Sequence, residues 1–183
     1  TWKKKSKHKI IGITGSNGKT STKDLLTFIL SKKFKCSKTV GNFNSSIGLP
    51  ISYLSSKIND NYCIIEYGAS KPNEIKNLCK IIKPNISLIT NISNAHIENY
   101  NSIEEIAKTK NAIFECLDSN DTAFINLDDK LIVSNTKKYN KVTFSVNRKA
   151  DYSISKFNRN KSAFLINKNH IEIPANLLHL KSL

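Results

Sequence analysis

The chain contains no methionine, and of its 29 basic residues only Arg148 and Arg159 are arginine. It begins at Thr1, so the missing methionine leads us to expect a fragment or a processed chain rather than a complete translation product. The scarcity of arginine, with no Arg-rich cluster anywhere in the chain, argues against a nucleic-acid surface, which pairs basic grooves with stacking platforms. Cys36, Cys63, Cys79 and Cys116 form no CxxC pair. That spacing lacks the pattern of a metal site and offers no disulfide framework, so the thiols read as small apolar side chains in a reducing cytosol. No stretch approaches the roughly 18–20 apolar residues of a membrane span. Residues 1–9 are basic, but the apolar stretch behind them (Ile10, Ile11, Ile13) ends at Thr14-Gly15, short of the roughly 7–15 residues of a signal peptide. We expect a cytoplasmic protein, monomeric, with no membrane insertion and no nucleic-acid partner. Internal repeats, Gly/Ser linkers and low-complexity segments are missing as well.

What the sequence does hold is lysine, isoleucine and asparagine, together 75 of 183 residues, and a net charge of +15. Such a charge ordinarily signals an acidic partner. The same three residues dominate when a coding sequence drifts toward A and T, so the charge reads mainly as mutational bias. A hydrophobic share of 39% argues against disorder, and the length suits one domain of roughly 100–200 residues.

Short β-branched runs alternate with longer amphipathic ones, the pattern of parallel strands joined by crossover helices. Strands are predicted at 9–14, 62–67, 86–90, 123–126 and 142–145, and helices at 20–30, 47–54, 73–82 and 102–117. Ser102 is placed to cap the last helix, with Glu105 three residues on, a capping box. Beyond about residue 151, Ile154, Phe157, Phe164, Ile166, Ile171 and Ile173 fall in short, partly alternating runs with no long helix between them. The fold class is therefore α/β: a P-loop-type, mostly parallel sheet flanked by helices, with a small antiparallel appendage near the C-terminus.

The P-loop assignment rests on Gly12-Ile-Thr-Gly15-Ser-Asn-Gly18-Lys19-Thr20-Ser21, which follows a predicted strand and opens a predicted helix. In that context Gly15 and Gly18 let the backbone turn so that amides of Gly15, Ser16, Asn17, Gly18, Lys19, Thr20 and Ser21 can surround a phosphate, helped by the positive helix end. Lys19 can reach β/γ-phosphates, and the Thr20 hydroxyl can ligate Mg²⁺. A kinase, a GTPase, a helicase and a ligase all remain open on this motif alone. Further chemistry stands at or after strand ends: Glu66, an acidic residue suited to Mg²⁺; His96 and Glu98; Lys108 and Lys110 in the next helix; and Asn126-Leu-Asp-Asp129. Singly each is weak. A histidine after a strand is commonly a surface residue, and a helix lysine in so lysine-rich a chain is solvated by default.

Their order and spacing resemble the central ATP-binding domain of the Mur ligases, densely from about residue 9 to 130. In that family the loop reads T-G-x-x-G-K-T, matched by residues 14–20. Thr39-Val-Gly-Asn-Phe-Asn-Ser-Ser-Ile-Gly-Leu-Pro50, Glu66-Tyr-Gly-Ala-Ser70, Thr90-Asn-Ile-Ser-Asn-Ala-His-Ile-Glu98 and Ile106-Ala-Lys-Thr-Lys-Asn-Ala-Ile-Phe114 point to the member that adds D-alanyl-D-alanine to UDP-N-acetylmuramoyl-tripeptide. The resemblance implies ATP and Mg²⁺ as cofactors and an acyl-phosphate intermediate. It implies that Lys19 and the loop amides hold the phosphates, that Thr20 and Glu66 hold one Mg²⁺ and His96 a second, and that Lys110 acts as a metal-binding carbamate. Asn42 and Asn44 would face the UDP-muramoyl-peptide. An isolated or degenerate ATP-binding module, or another Mur-type or folylpolyglutamate-type ligase, is the alternative. The family's Glu two residues after the carbamylated lysine is Ala112 here. Relatives continue past the point matching Leu183 into a base-contacting segment and a Rossmann-like domain, and carry an N-terminal UDP-sugar domain. The resemblance therefore implies a central domain cut short at its C-terminal end, not expected to turn over alone.

Overall fold

In the computed structural model of the protein, residues 6–132, 139–158, 163–166 and 169–172 are described. The basic residues 1–5, Ile173 and the chain end after it lie outside the described residues. In chain order the elements are β1 (Lys9–Thr14), α1 (Lys19–Ser31), β2 (Cys36–Lys38), α2 (Gly48–Leu54), β3 (Tyr62–Glu66), α3 (Glu74–Ile81), β4 (Ile86–Ile89), a single 3-10 turn (Ile97–Asn99), α4 (Ile103–Glu115), β5 (Thr122–Asn126), β6 (Asn140–Ser145), β7 (Tyr152–Asn158), β8 (Ala163–Ile166) and β9 (Asn169–Glu172). The strands form one sheet in the order β2-β3-β1-β4-β5-β6-β7-β8-β9. Pairing is parallel from β2 through β7 and antiparallel from β7 to β9.

The central strand explains the layering. Every residue of β1 except Lys9 is buried, and a parallel strand covered on both faces needs such a near-continuous β-branched run. Ile11 and Ile13 face one way, packing with Ile64 and with Leu26 and Leu30 of α1. Ile10 belongs to the larger cluster on the opposite face, with Ile65, Ile89, Ile75 and Leu78 of α3, and Ile106 and Ile113 of α4. Burying each such side chain contributes about 1.5–3 kcal/mol. At Gly12 an added Cβ would lie 3.0 Å from both Pro84 and the Tyr67 ring, so a larger residue would have to push these side chains apart where this layer closes on the sheet.

Two details depart from the pattern reading. Strand β2 is missed by it: three residues, Cys36-Ser-Lys38, carry no apolar alternation and become a strand by pairing with Tyr62, Cys63 and Ile64. The capping box is half formed. The Ser102 hydroxyl accepts the Glu105 N–H at 3.4 Å, but the Glu105 carboxylate reaches the Asn101 N–H at 2.8 Å rather than that of Ser102. The appendage is as expected, and it grows directly from the sheet because β7 also pairs with β6.

Strands β3 and β4 flank β1 on opposite sides. Chain connections therefore diverge at β1, and the loops after β1, β3, β4 and β5 gather at one sheet edge, where open α/β sheets take ligands. All four cysteines are free, Cys63 and Cys79 buried and Cys36 and Cys116 half-buried. Among the described residues, no helix is long and apolar enough to cross a membrane.

Candidate active site

The loop after β1 is shaped by glycines. Gly15 has φ 145° and Gly18 φ 76°, and a Cβ on Gly15 would fall 1.9 Å from the Thr90 hydroxyl. Gly18 ends the loop as the left-handed cap of α1, whose N-terminus carries no side-chain cap. The first amides of a helix have no partner within it, so this end offers donors and positive potential to an anion. The Lys19 ammonium lies back across the loop, donating to the carbonyls of Gly15 at 2.8 Å and Ser16 at 3.0 Å. Burial pushes its pKa down, and the charge of Glu66 works against that.

The segment after β4 clasps this loop. The Ser16 N–H donates to the Asn91 carbonyl at 2.9 Å, and the Ser16 hydroxyl donates to the Ser93 carbonyl at 3.0 Å while accepting the Ser93 N–H at 2.9 Å. Asn17 is held harder: its N–H donates to Asn91 Oδ1 at 3.1 Å, and its carbonyl accepts from the Thr90 hydroxyl at 2.6 Å. The Ser16 and Asn17 amides are thus bonded within the protein, whereas the first amides of α1 have no partner within the helix.

Glu66 ends β3 with 2% of its surface exposed. Its Oε2 accepts from the Thr20 hydroxyl at 3.0 Å and its Oε1 from Asn44 Nδ2 at 2.9 Å. Lys23, one turn after Lys19 and as buried as Glu66, places Nζ 3.9 Å from Oε2. Thr20 and Glu66 fit a Mg²⁺ ion that takes its other ligands from phosphate oxygens and water, the usual arrangement for this cation. They do not fit an all-protein cage: among the described residues, no three His, Cys, Asp or Glu side chains cluster for a metal.

Beside this lies a cavity of about 410 Å³ lined by Lys19, Asn44, Gly68, Ser70, Glu74 and His96 among others. The Glu74 carboxylate accepts the N–H groups of Ser70 and Lys71 at 2.6 and 2.9 Å. In α4, Lys110 is 2% exposed. Burial first, and the charge of Lys19 second, bring its pKa down to about 8, against the opposing effect of Glu74.

The Mur ligase middle domain profile matches residues 13–180. The chain belongs to this family. This Mur ligase middle domain is 47% identical over 121 residues to the UDP-N-acetylmuramoyl-tripeptide–D-alanyl-D-alanine ligase of Rickettsia prowazekii, an overlap of 66% of the chain and 27% of that protein. It is 35% identical over 146 residues to the ligase of the same name from Bacillus subtilis, covering 80% of the chain and 32% of the relative. The chain thus spans about a quarter to a third of the curated relatives it matches. Among solved structures it superposes on the MurF ligase of Thermotoga maritima in complex with ADP with a TM-score of 0.80 and 28% identity, over 94% of this chain and 42% of that one.

Within the middle domain the residues singled out from sequence do not all converge. Lys19, Thr20, Glu66 and Asn44 meet at the loop mouth, and His96 stands at the cavity rim, 58% exposed and left-handed at φ 59°. Lys110 feels Lys19 from α4. Ser21 lies on the exposed first turn of α1, and Asn42 is exposed on the loop before Asn44 without lining the cavity. Sequence reasoning missed Lys23 and Glu74. The i, i+4 spacing of Lys19 and Lys23 was the available signal, and the abundance of lysine hid it.

Proposed function

We propose that the chain is the ATP-handling part of an ADP-forming ligase that joins D-alanyl-D-alanine to UDP-N-acetylmuramoyl-tripeptide, in cytoplasmic synthesis of the peptidoglycan precursor that underlies wall growth, cell shape and division. The observation that carries the reading is the meeting of Lys19, Thr20 and buried Glu66 at a loop mouth beside the cavity, in a chain 47% identical to a ligase of that name.

The residues divide the work as follows. The α1 N-terminus and Lys19 bind the β/γ-phosphates of ATP, Lys19 exchanging its carbonyl partners for phosphate oxygens. Thr20 and Glu66 would hold one Mg²⁺ and His96 a second; the ion supplies neutralisation of phosphate charge. Asn44 steadies Glu66, and with Asn42 borders the side from which the muramoyl-peptide would enter. The substrate carboxylate attacks the γ-phosphorus and ADP leaves; the dipeptide amine then attacks the acyl carbon, phosphate departs, and the amine loses a proton. Lys110, neutral in a fraction of molecules near pH 7, has the nucleophilic amine needed to add CO₂, releasing a proton and leaving an anionic carbamate. The remaining regions that grip the UDP-sugar and the dipeptide belong, in this reading, to other parts of the enzyme, which acts as a monomer.

The test is equilibrium binding of ADP and ATP with Mg²⁺ to the chain and to Lys19→Ala. Binding that falls at least about tenfold in the variant supports the reading, and equal affinity overturns it. With ATP, Mg²⁺ and both substrates the chain alone is expected to give no sustained amide formation; sustained turnover would contradict its placement as one part of a larger active site.

A further inference from the structure

The stretch 126–129 after β5 was singled out in the sequence and has no part in the chemistry above. We propose that Asp129, seconded by Asn126, is a positioning residue that fixes the nucleotide loop at a distance, through the clasp at 90–93. This inference rests on nucleotide binding at the loop.

Asp129 does not touch the loop. Its Oδ2 accepts the Ile92 N–H at 2.7 Å and its Oδ1 the Leu131 N–H at 3.0 Å, so both oxygens are committed to backbone amides. Asn126 adds a weaker tie from Nδ2 to the Thr90 carbonyl at 3.4 Å, its own Oδ1 being fixed by the Asp128 N–H at 3.0 Å. The Ile92 side chain is 7% exposed in the main core cluster. The segment is therefore pinned at Thr90 and Ile92 from the β5 side, and it grips the loop through the Thr90 hydroxyl, Asn91 and Ser93, which hold Ser16 and Asn17. The Thr90 N–H still continues the ladder to the Thr14 carbonyl at 2.9 Å, but the Ile92 N–H relies on Asp129, and a carboxylate accepting from an amide is roughly twice as strong as a neutral acceptor. Asp128, one residue earlier, supplies the contrast. Its carboxylate accepts from the Ser145 hydroxyl and the Val146 N–H, both at 2.6 Å, and so ties β5 to β6 away from the loop.

The test compares Asp129→Ala, Asp129→Asn, Asn126→Ala and Asp128→Ala by two readouts: affinity for ADP with Mg²⁺, and amide hydrogen exchange at Ser16 and Asn17 in the ligand-free chain. Asp129→Ala is expected to weaken ADP about tenfold and to speed exchange at those two amides by a similar factor. Asp129→Asn, which keeps one acceptor oxygen, should fall between it and the wild type. Asp128→Ala should lower Tm while leaving both readouts within about twofold. Unchanged ADP affinity and exchange in Asp129→Ala would overturn the proposal. So would losses in Asp128→Ala that match those of Asp129→Ala at equal Tm, since the role would then be stability alone. If Asp129→Ala does not fold, Asp129→Asn and Asn126→Ala decide: faster exchange at Ser16 and Asn17 supports the positioning role, and wild-type exchange in both overturns it. Failure of the wild type to bind ADP removes the reading of the site itself, and is distinguishable because exchange still reports on the clasp.

Discussion

A lysine held out of water at neutral pH costs stability, and Lys110 is such a lysine, its pKa near 8 against an ordinary 10.5. The unfolded chain binds more protons than the folded one between these values, so this group makes the protein more stable as pH rises from about 8 to 10.5. Lys110→Met, similar in length and uncharged, is therefore expected to raise Tm at pH 7 in CO₂-free buffer, with the gain shrinking toward pH 10.5; a gain independent of pH would refute the assignment. Lys23 is the opposite case, since it faces a buried carboxylate. Lys23→Met should destabilise by about 3 kcal/mol, because an ion pair broken on one side leaves the other charge buried, and the double variant with Glu66→Gln should recover part of the loss in urea titrations. Lys19, Thr20 and Glu66 could be picked out as a candidate cluster because spacing and order tie them to a motif, and the structure brings the three together. Lys23 and Glu74 were not: what makes them matter is burial and proximity across α1, α3 and the sheet, which no local pattern encodes.

At the scale of elements, the loop and its clasp behave as one piece. Gly15→Ala would require φ 145° of a residue with a Cβ and push that atom onto Thr90. We expect it to abolish measurable ADP binding and to cost about 1–3 kcal/mol of stability, with circular dichroism still showing the fold. Wild-type affinity in that variant would mean the loop bends elsewhere. Strand β1 could be read from sequence because burial of all but its first residue demands a near-continuous β-branched run, and β3 carries a shorter apolar run of the same kind. Strand β2 could not, since its identity comes from the neighbour it pairs with. The four helices fell within a residue or two of their expected ends, and what escaped was which carboxylate oxygen met which amide, as at Glu105.

The whole molecule carries +15, yet the residues assigned to nucleotide binding draw on few of its lysines. Charge at exposed positions more than a Debye length of about 8–10 Å away is screened. Replacing exposed Lys57 and Lys80 with glutamate should leave ADP affinity at physiological salt within about twofold; a larger drop would mean that the general field of the molecule recruits the ligand. The clasp has one more consequence, in the order of synthesis. Ser16 and Asn17 leave the ribosome early, but their partners are Thr90, Asn91 and Ser93, 73 to 77 positions later, and the anchor of that segment is Asp129. Contacts of such separation form only after the intervening chain is made. On the positioning role proposed for Asp129, a nascent chain that already displays the whole glycine-rich motif is therefore still unable to hold its shape, and the proposed competence for nucleotide arrives late in translation, once β5 has taken its place in the sheet.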